Sequence, residues 1–246
     1  MTKRANQVHR LTLPWMFAVA AASLALAFGL SACQTVASFS QPSLVRVIDA
    51  SYIAPAVNIY VENTLIAGNI GEGYVSNYGT VSPSTAAQIQ VKAATGGKVL
   101  VSSAATLNAG AQHSVFLTDN GASPTQYTVT VLQDAQTAAA AGHSSFRFLN
   151  EAPRTGAVDV YMVPANTTLA DAIPLCTALA VGSTCGYINF ASQTLTMVIT
   201  PTGVITTKYT SSPLALTGGE VRTVVIVDSQ LTSNPPVNVV IANDVQ

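Results

Sequence analysis

Charge, tryptophan and histidine are all scarce in this sequence. Only 9% of the 246 residues are charged, too few Glu and Lys to clothe the solvent face of a helical bundle. All 11 acidic residues follow Cys33, whereas Lys3, Arg4 and Arg10 precede it, so the chain from Cys33 onward has a formal charge of −4. That balance argues against a nucleic-acid partner. The single tryptophan, Trp15, lies in the amino-terminal leader, which removes from the rest of the chain the residue that most often stacks on sugars or anchors protein interfaces. Of the three histidines, only His113 and His143 follow Cys33. Each precedes a serine, and adjacent residues of a strand point to opposite faces, a poor geometry for proton transfer. There is no Gly-x-Ser-x-Gly elbow, no phosphate-cradling glycine loop and no revealing pair of carboxylates. No catalytic residue, metal site or cofactor is expected, and the chain reads as a non-enzyme.

What is present begins with the leader. Lys3, Arg4 and Arg10 form a basic start, residues 11–30 are almost unbroken apolar sequence, and small residues precede Cys33. Leu30-Ser31-Ala32-Cys33 resembles the lipobox of bacterial lipoproteins, in which the leader is removed and the cysteine is acylated. An uncleaved membrane helix and an ordinary cleaved signal are the alternatives. The resemblance implies a signal peptide over residues 1–32, a palmitate-type lipid on Cys33 and a membrane anchor without a spanning segment. Gln34, not Asp, follows the cysteine; by resemblance to the sorting rule of enteric bacteria this implies the outer membrane of the cell envelope. Residues 33–43 are small, polar and without periodicity, a lipidated tether.

Export leaves Cys176 and Cys185 as an even pair, expected to be joined as a disulfide. Two cysteines without a nearby histidine are too few ligands for zinc.

The chain also aligns with itself. Val45-Arg46-Val47-Ile48-Asp49-Ala50 matches Phe146-Arg147-Phe148-Leu149-Asn150-Glu151, and residues 56–61 match residues 157–162, both at an offset of 101. Leu107, Val115 and Asp119 match Leu216, Val224 and Asp228 at an offset of 109, so the second copy has gained eight residues, mostly in the stretch that carries both cysteines. Repeat 1 is expected over residues 44–135, a linker over 136–144 and repeat 2 over 145–246. Alternating apolar residues predict strands at 45–47, 57–61, 65–70, 87–93, 99–102, 112–118 and 127–132, and in the second copy at 194–200, 205–209, 221–227 and 237–241. Turn signals fall at Gly96-Gly97, Asn120-Gly121, Gly218-Gly219 and Asn234-Pro235-Pro236. The fold class is all-β: two tandem β-sandwich repeats, immunoglobulin-like or transthyretin-like, after a cleaved lipoprotein signal peptide.

Residues 46–51 and 54–61, Arg-Val-Ile-Asp-Ala-Ser and Ala-Pro-Ala-Val-Asn-Ile-Tyr-Val, resemble the opening of the DUF4397 domain, a bacterial domain of unknown function found in tandem on exported proteins. Its members usually carry His where this chain has Asp49 and Asn150. The resemblance implies fold and export and no catalytic assignment. Arg46 and Arg147, and likewise Tyr60 and Tyr161, hold equivalent positions; on neighbouring strands Arg147 is expected to face Asp159 and Arg46 to face Asn58, as structural cross-strand pairs. Two functions are carried forward. One is a non-enzymatic, lipid-anchored envelope protein of structural, adhesive or ligand-presenting type. The other is a small-molecule or glycan binding module that uses the groove between the repeats or the loop tyrosines Tyr52, Tyr74 and Tyr78.

Overall fold

Runs of Val, Ile and Thr alternating with small polar residues favour extended backbone, and the computed structural model, which describes residues 40–120, 126–229 and 236–245, is almost entirely strand. The signal peptide, Cys33 and most of the tether lie outside the described residues, as do parts of the turns at Asn120-Gly121 and Asn234-Pro235-Pro236. The first copy contains β1 (Ser43–Asp49), β2 (Val57–Val61), β3 (Thr64–Ile70), β4 (Gly79–Val81), β5 (Ser84–Ala93), β6 (Val99–Leu107), β7 (Gln112–Asp119) and β8 (Tyr127–Gln133). The second contains β9 (His143–Glu151), β10 (Val158–Pro164), β11 (Cys176–Leu179), β12 (Thr184–Ala191), β13 (Thr194–Pro201), β14 (Tyr209–Thr210), β15 (Leu214–Ala215), β16 (Val221–Asp228) and β17 (Val237–Asn243).

Each copy is a two-sheet sandwich. In the first, the sheets run β4-β1-β7-β8 and β3-β2-β5-β6; in the second, β12-β9-β16-β17 and β11-β10-β13-β14, with β15 also paired to β13. The central pair of each first-named sheet is parallel, with Arg46 opposite Ser114 and Arg147 opposite Thr223.

Three apolar layers separate four stacked sheets. Val45, Val47, Val115 and Leu117 meet Ile59, Ile89 and Val91 inside the first copy. Phe146, Phe148, Val224 and Ile226 meet Val160, Met197 and Ile199 inside the second. The third layer joins the copies: Ile48, Ala50 and Phe116 pack with Leu149, Val225, Val227, Val240 and Ala242. Strands β1, β7, β9 and β16 are therefore covered on both faces, and nearly every residue in them is buried. The linker also seats tightly on the second copy. A Cβ on Gly218 would fall 2.8 Å from the Gly142 nitrogen, so only glycine fits there.

Several expectations are corrected. Of residues 205–209 only Tyr209 enters a strand; Val204 and Ile205 are 49% and 63% exposed. Gly203, at a φ of 74°, turns the chain out after β13, and Pro213 then splits the counterpart of β6 into the short β14 and β15. Strands β4, β11 and β12 carry too little periodicity to be read from sequence. The eight-residue gain falls in the loop between β10 and β11, where Leu169 and Ala172 cover Tyr161, Val163 and Val198 on the outer face of the second copy. In the first copy that face is open, with the Lys92 ammonium 4.7 Å from the Tyr60 ring centre.

Candidate functional site

The second copy's disulfide joins Cys176 on β11 to Cys185 on β12. It ties the edges of that copy's two sheets together, just beyond the inserted loop.

The principal concentration of buried chemistry lies between the copies. Arg46 on β1 and Arg147 on β9 alternate with core valines and phenylalanines, so they point out of their own sandwich and toward the other copy. Arg46 Nε donates to Ser114 Oγ at 2.7 Å, and that hydroxyl donates to Asp134 Oδ2 at 2.7 Å. Its Nη2 crosses to Asp244 Oδ1 of the other copy and its Nη1 to the Asn243 carbonyl. The second set repeats the first. Arg147 Nε donates to Thr223 Oγ1 at 3.1 Å, and Thr223 donates to Asp244 Oδ2 at 2.7 Å. Arg147 Nη2 crosses to Asp134 Oδ1 at 2.5 Å and Nη1 to the Gln133 carbonyl at 2.8 Å.

Two tyrosines close the set. Tyr78 donates to Asp134 Oδ2 and Tyr187 donates to Asp244 Oδ2, each at 2.7 Å. The guanidinium of Arg46 lies 4.9 Å from the Tyr78 ring centre, and that of Arg147 lies 4.9 Å from the Tyr187 ring centre. Burial, reinforced by the adjacent aspartates, pushes both phenols far above their ordinary value, so they act as donors at every physiological pH. Two cations face two anions, and none of the four side chains is more than 5% exposed. A buried pair of this kind holds geometry more than it adds net stability, but deleting one partner strands a buried charge. Chemically it is a lock: no group in it is left over for acid–base work.

At the far end of the same interface the polar groups are mainly acids, with Arg154 facing Asp119 and Asp228. Asp49, at the end of β1, is fully buried, and burial raises its carboxyl to about 7, with Asp119 and Glu72 adding repulsion. Burial also raises Asp119 and Glu72. Glu151 of the second copy is raised by burial, although the Thr118 and Thr130 hydroxyls partly offset it. Asp119 accepts from the Ser51 hydroxyl and the Tyr52 amide, as Asp228 accepts from the Arg154 and Thr155 amides in the other copy.

The sequence candidates are placed as follows. Tyr52 and Tyr74 are 38% and 44% exposed on loops flanking the end of β1. Tyr78 is a correction: its hydroxyl is spent on Asp134 and its ring on Arg46, so it belongs to the lock and not to a ligand-facing loop. The expected Arg147–Asp159 and Arg46–Asn58 pairs do not form, because β1 and β2, like β9 and β10, lie in different sheets. Asp159 and Asn58 instead accept the amides of Ala178 and Asn69, which sit at equivalent left-handed bends with φ of 51° and 53°. His113 is buried with a depressed basicity caused by desolvation, while its neighbour Ser114 serves Arg46 and Asp134. Ser144, beside His143, donates to the Thr217 carbonyl. Among the described residues no three His, Cys, Asp or Glu side chains are grouped to hold a metal, and no helix is long and apolar enough to cross a membrane.

Sequence reasoning missed Asp134, Asp244 and Tyr187. Their signal is the repeat itself: Tyr78 and Tyr187 are 109 residues apart, and Asp134 and Asp244 are 110 apart, so extending the self-alignment to the last strand pairs them.

An open groove of about 360 Å3 lies between the copies, walled by Val75, Ser76 and Asn77 on one side and Ala242 and Asn243 on the other, with Arg46 at its base.

Residues 43–161 match the model of the family described as a domain of unknown function, DUF4397. The matched stretch contains every side chain that converges on Asp134, including Arg147 from the second copy. No curated protein matches the chain. Among solved structures it is similar to a carbohydrate-binding module, CBMbc of family CBM26 from Eubacterium rectale Amy13K in complex with maltoheptaose, at 11% identity over 80% of this chain and 95% of that one, with a TM-score of 0.25. A likeness at that score carries no argument about fold or ligand.

Proposed function

We propose that this protein is a non-enzymatic lipoprotein of the bacterial cell envelope, held through lipid on Cys33, in which two β-sandwich repeats act as one stiff body for structural, adhesive or ligand-presenting display. The observation that carries the reading is the reciprocal lock. Its arginines and aspartates are consumed in holding one copy against the other, and its tyrosines in bracing those aspartates, which suits a rigid spacer. The lipobox and the tether supply the anchor, and Gln34 directs it to the outer membrane by the sorting resemblance. Partners are then the lipid surface and other envelope proteins or glycans.

Membrane fractionation with intact-mass measurement tests the anchor. The native protein is expected in the membrane fraction, beginning at Cys33 and carrying acyl chains, with Cys33→Ala released. An unacylated native chain, or Cys33→Ala retained in the membrane as before, overturns it.

A second reading, small-molecule or glycan binding, is favoured by the exposure of Tyr52 and Tyr74 on loops flanking the end of β1. Because Trp15 leaves with the leader, intrinsic fluorescence of the mature protein reports tyrosine alone. Titration with soluble glycans is expected to change that emission in the wild type and not in Tyr52→Ala/Tyr74→Ala; identical responses in both remove these residues from any site.

A further inference from the structure

The two copies use one device to hold the loop that follows the third strand, and they differ in it by a single group. In the second copy the Asn150 amide donates to the Ser183 carbonyl, and the Gly182 amide donates to the Asn150 carbonyl at 2.7 Å. In the first copy the Asp49 amide donates to the Tyr74 carbonyl at 2.9 Å, and the Gly73 amide donates to the Asp49 carbonyl at 2.8 Å. The loops correspond residue for residue at an offset of 109, with Gly73 and Gly182 at φ of 80° and 74°.

The side chains correspond as well, up to one atom. Asn150 Oδ1 accepts the Ala152 amide at 3.0 Å, and Asp49 Oδ1 accepts the Ser51 amide at 3.1 Å. The remaining atom of Asn150 is the amide nitrogen, which donates to the Gly156 and Leu179 carbonyls at 2.9 and 2.8 Å. The remaining atom of Asp49 is Oδ2, which is fully buried and meets no donor. A position built for a donor thus holds a carboxyl oxygen. Only the protonated acid, with its O–H, reproduces what the asparagine does.

We propose that Asp49 is a pH-sensitive latch: as a neutral acid it holds the loop from Gly71 to Tyr74 against the end of β1, and on ionising it loosens that loop. The charged groups facing Asp49 are Asp119 from β7 and Glu72 from the loop itself. Both are acids, so neither stabilises the anion. From the second copy, Arg154 faces Asp119, Asn238 bonds Glu72 and Glu151 faces Thr118 and Thr130; none of them neutralises Asp49. The loosened segment carries Tyr74 and adjoins the groove residue Val75, while Ser76 is tied separately to Val47 through its amide and its hydroxyl.

The direction follows from linkage. Burial raises this carboxyl from 3.8 to about 7 in the closed state, so closing takes up a proton between those values. Closure is therefore most stable in acid, weakens as pH rises from about 4 toward about 7, and loses nothing further from this group above that.

Amide hydrogen exchange on the folded protein, expressed as protection factors at Asp49 and Gly73, tests the latch at pH 5 and pH 8. Protection in the wild type is expected to fall more than about tenfold between the two, while Asp49→Asn keeps its acid-side protection at both. Asn150→Asp provides the converse, a new fall at Asn150 and Gly182. Protection in the wild type that is flat with pH, or that falls equally in Asp49→Asn, overturns the proposal; should Asn150→Asp fail to fold, the Asp49→Asn comparison alone decides.

Discussion

The interface between the two copies has two polar regions that solve the same problem in opposite ways. At the lock, Arg46 and Arg147 face Asp134 and Asp244, every cation with its anion in the other copy. At the latch end, Asp49, Asp119 and Glu151 are buried and Glu72 lies exposed beside them, with hydroxyls, amides and one arginine for company. Burying charge requires either a partner or a proton. The lock uses partners. The latch end uses protons, so its contribution depends on pH. One interface therefore combines a permanent clamp with a conditional one, separated by the apolar layer around Ile48, Phe116, Leu149 and Val225.

The largest effect that breaks this contrast is expected from Asp134→Ala. It removes the acceptor for Arg147, Ser114 and Tyr78 at once and leaves a buried arginine uncompensated, a loss of about 3 to 5 kcal/mol in urea unfolding. Replacing Arg46 and Asp244 together by Met and Leu should cost less than either single change, because the stranded charge is gone; a double-mutant cycle reads this directly. Removing the disulfide with Cys176→Ser and Cys185→Ser should cost about 2 to 3 kcal/mol in the loop-closure picture, read as a lowered midpoint against the oxidised protein. Tyr78→Phe deletes one hydrogen bond to a charged acceptor and should cost about 1.5 to 3 kcal/mol. Smallest of all, Tyr52→Ala should leave the urea midpoint within about 0.5 kcal/mol of wild type, since its ring is on the surface.

The same contrast explains what the sequence disclosed. The duplication, the strand class and the pairing of Cys176 with Cys185 follow from local pattern and cysteine count, and residues such as Val57, Ile59 and Val61 declare their buried face by alternation alone. Arg46 and Arg147 stood out as repeated, but their partners did not. Arg46 meets Asp244 across 198 residues, and that pairing depends on how one sandwich docks on the other, which no local periodicity encodes. Strand β1 shows the limit well. Its Arg and Ile at alternate positions look outward for a half-buried strand, and only the docking of the second copy buries them. Tyr78 was misjudged for the same reason: a tyrosine among Gly, Ser and Asn reads as a surface loop until Arg46 and Asp134 are placed beside it. The difference between Asp49 and Asn150 was visible as a substitution, yet its meaning needed the two carbonyls that Asn150 faces.

Calorimetric unfolding of residues 34–246 tests most directly whether the two copies form one locked body. A single transition whose van't Hoff and calorimetric enthalpies agree is expected for one cooperative unit. Two resolved transitions, or a van't Hoff enthalpy near half the calorimetric value, would show that each sandwich unfolds alone and that the reciprocal arginines do not bind the copies into one.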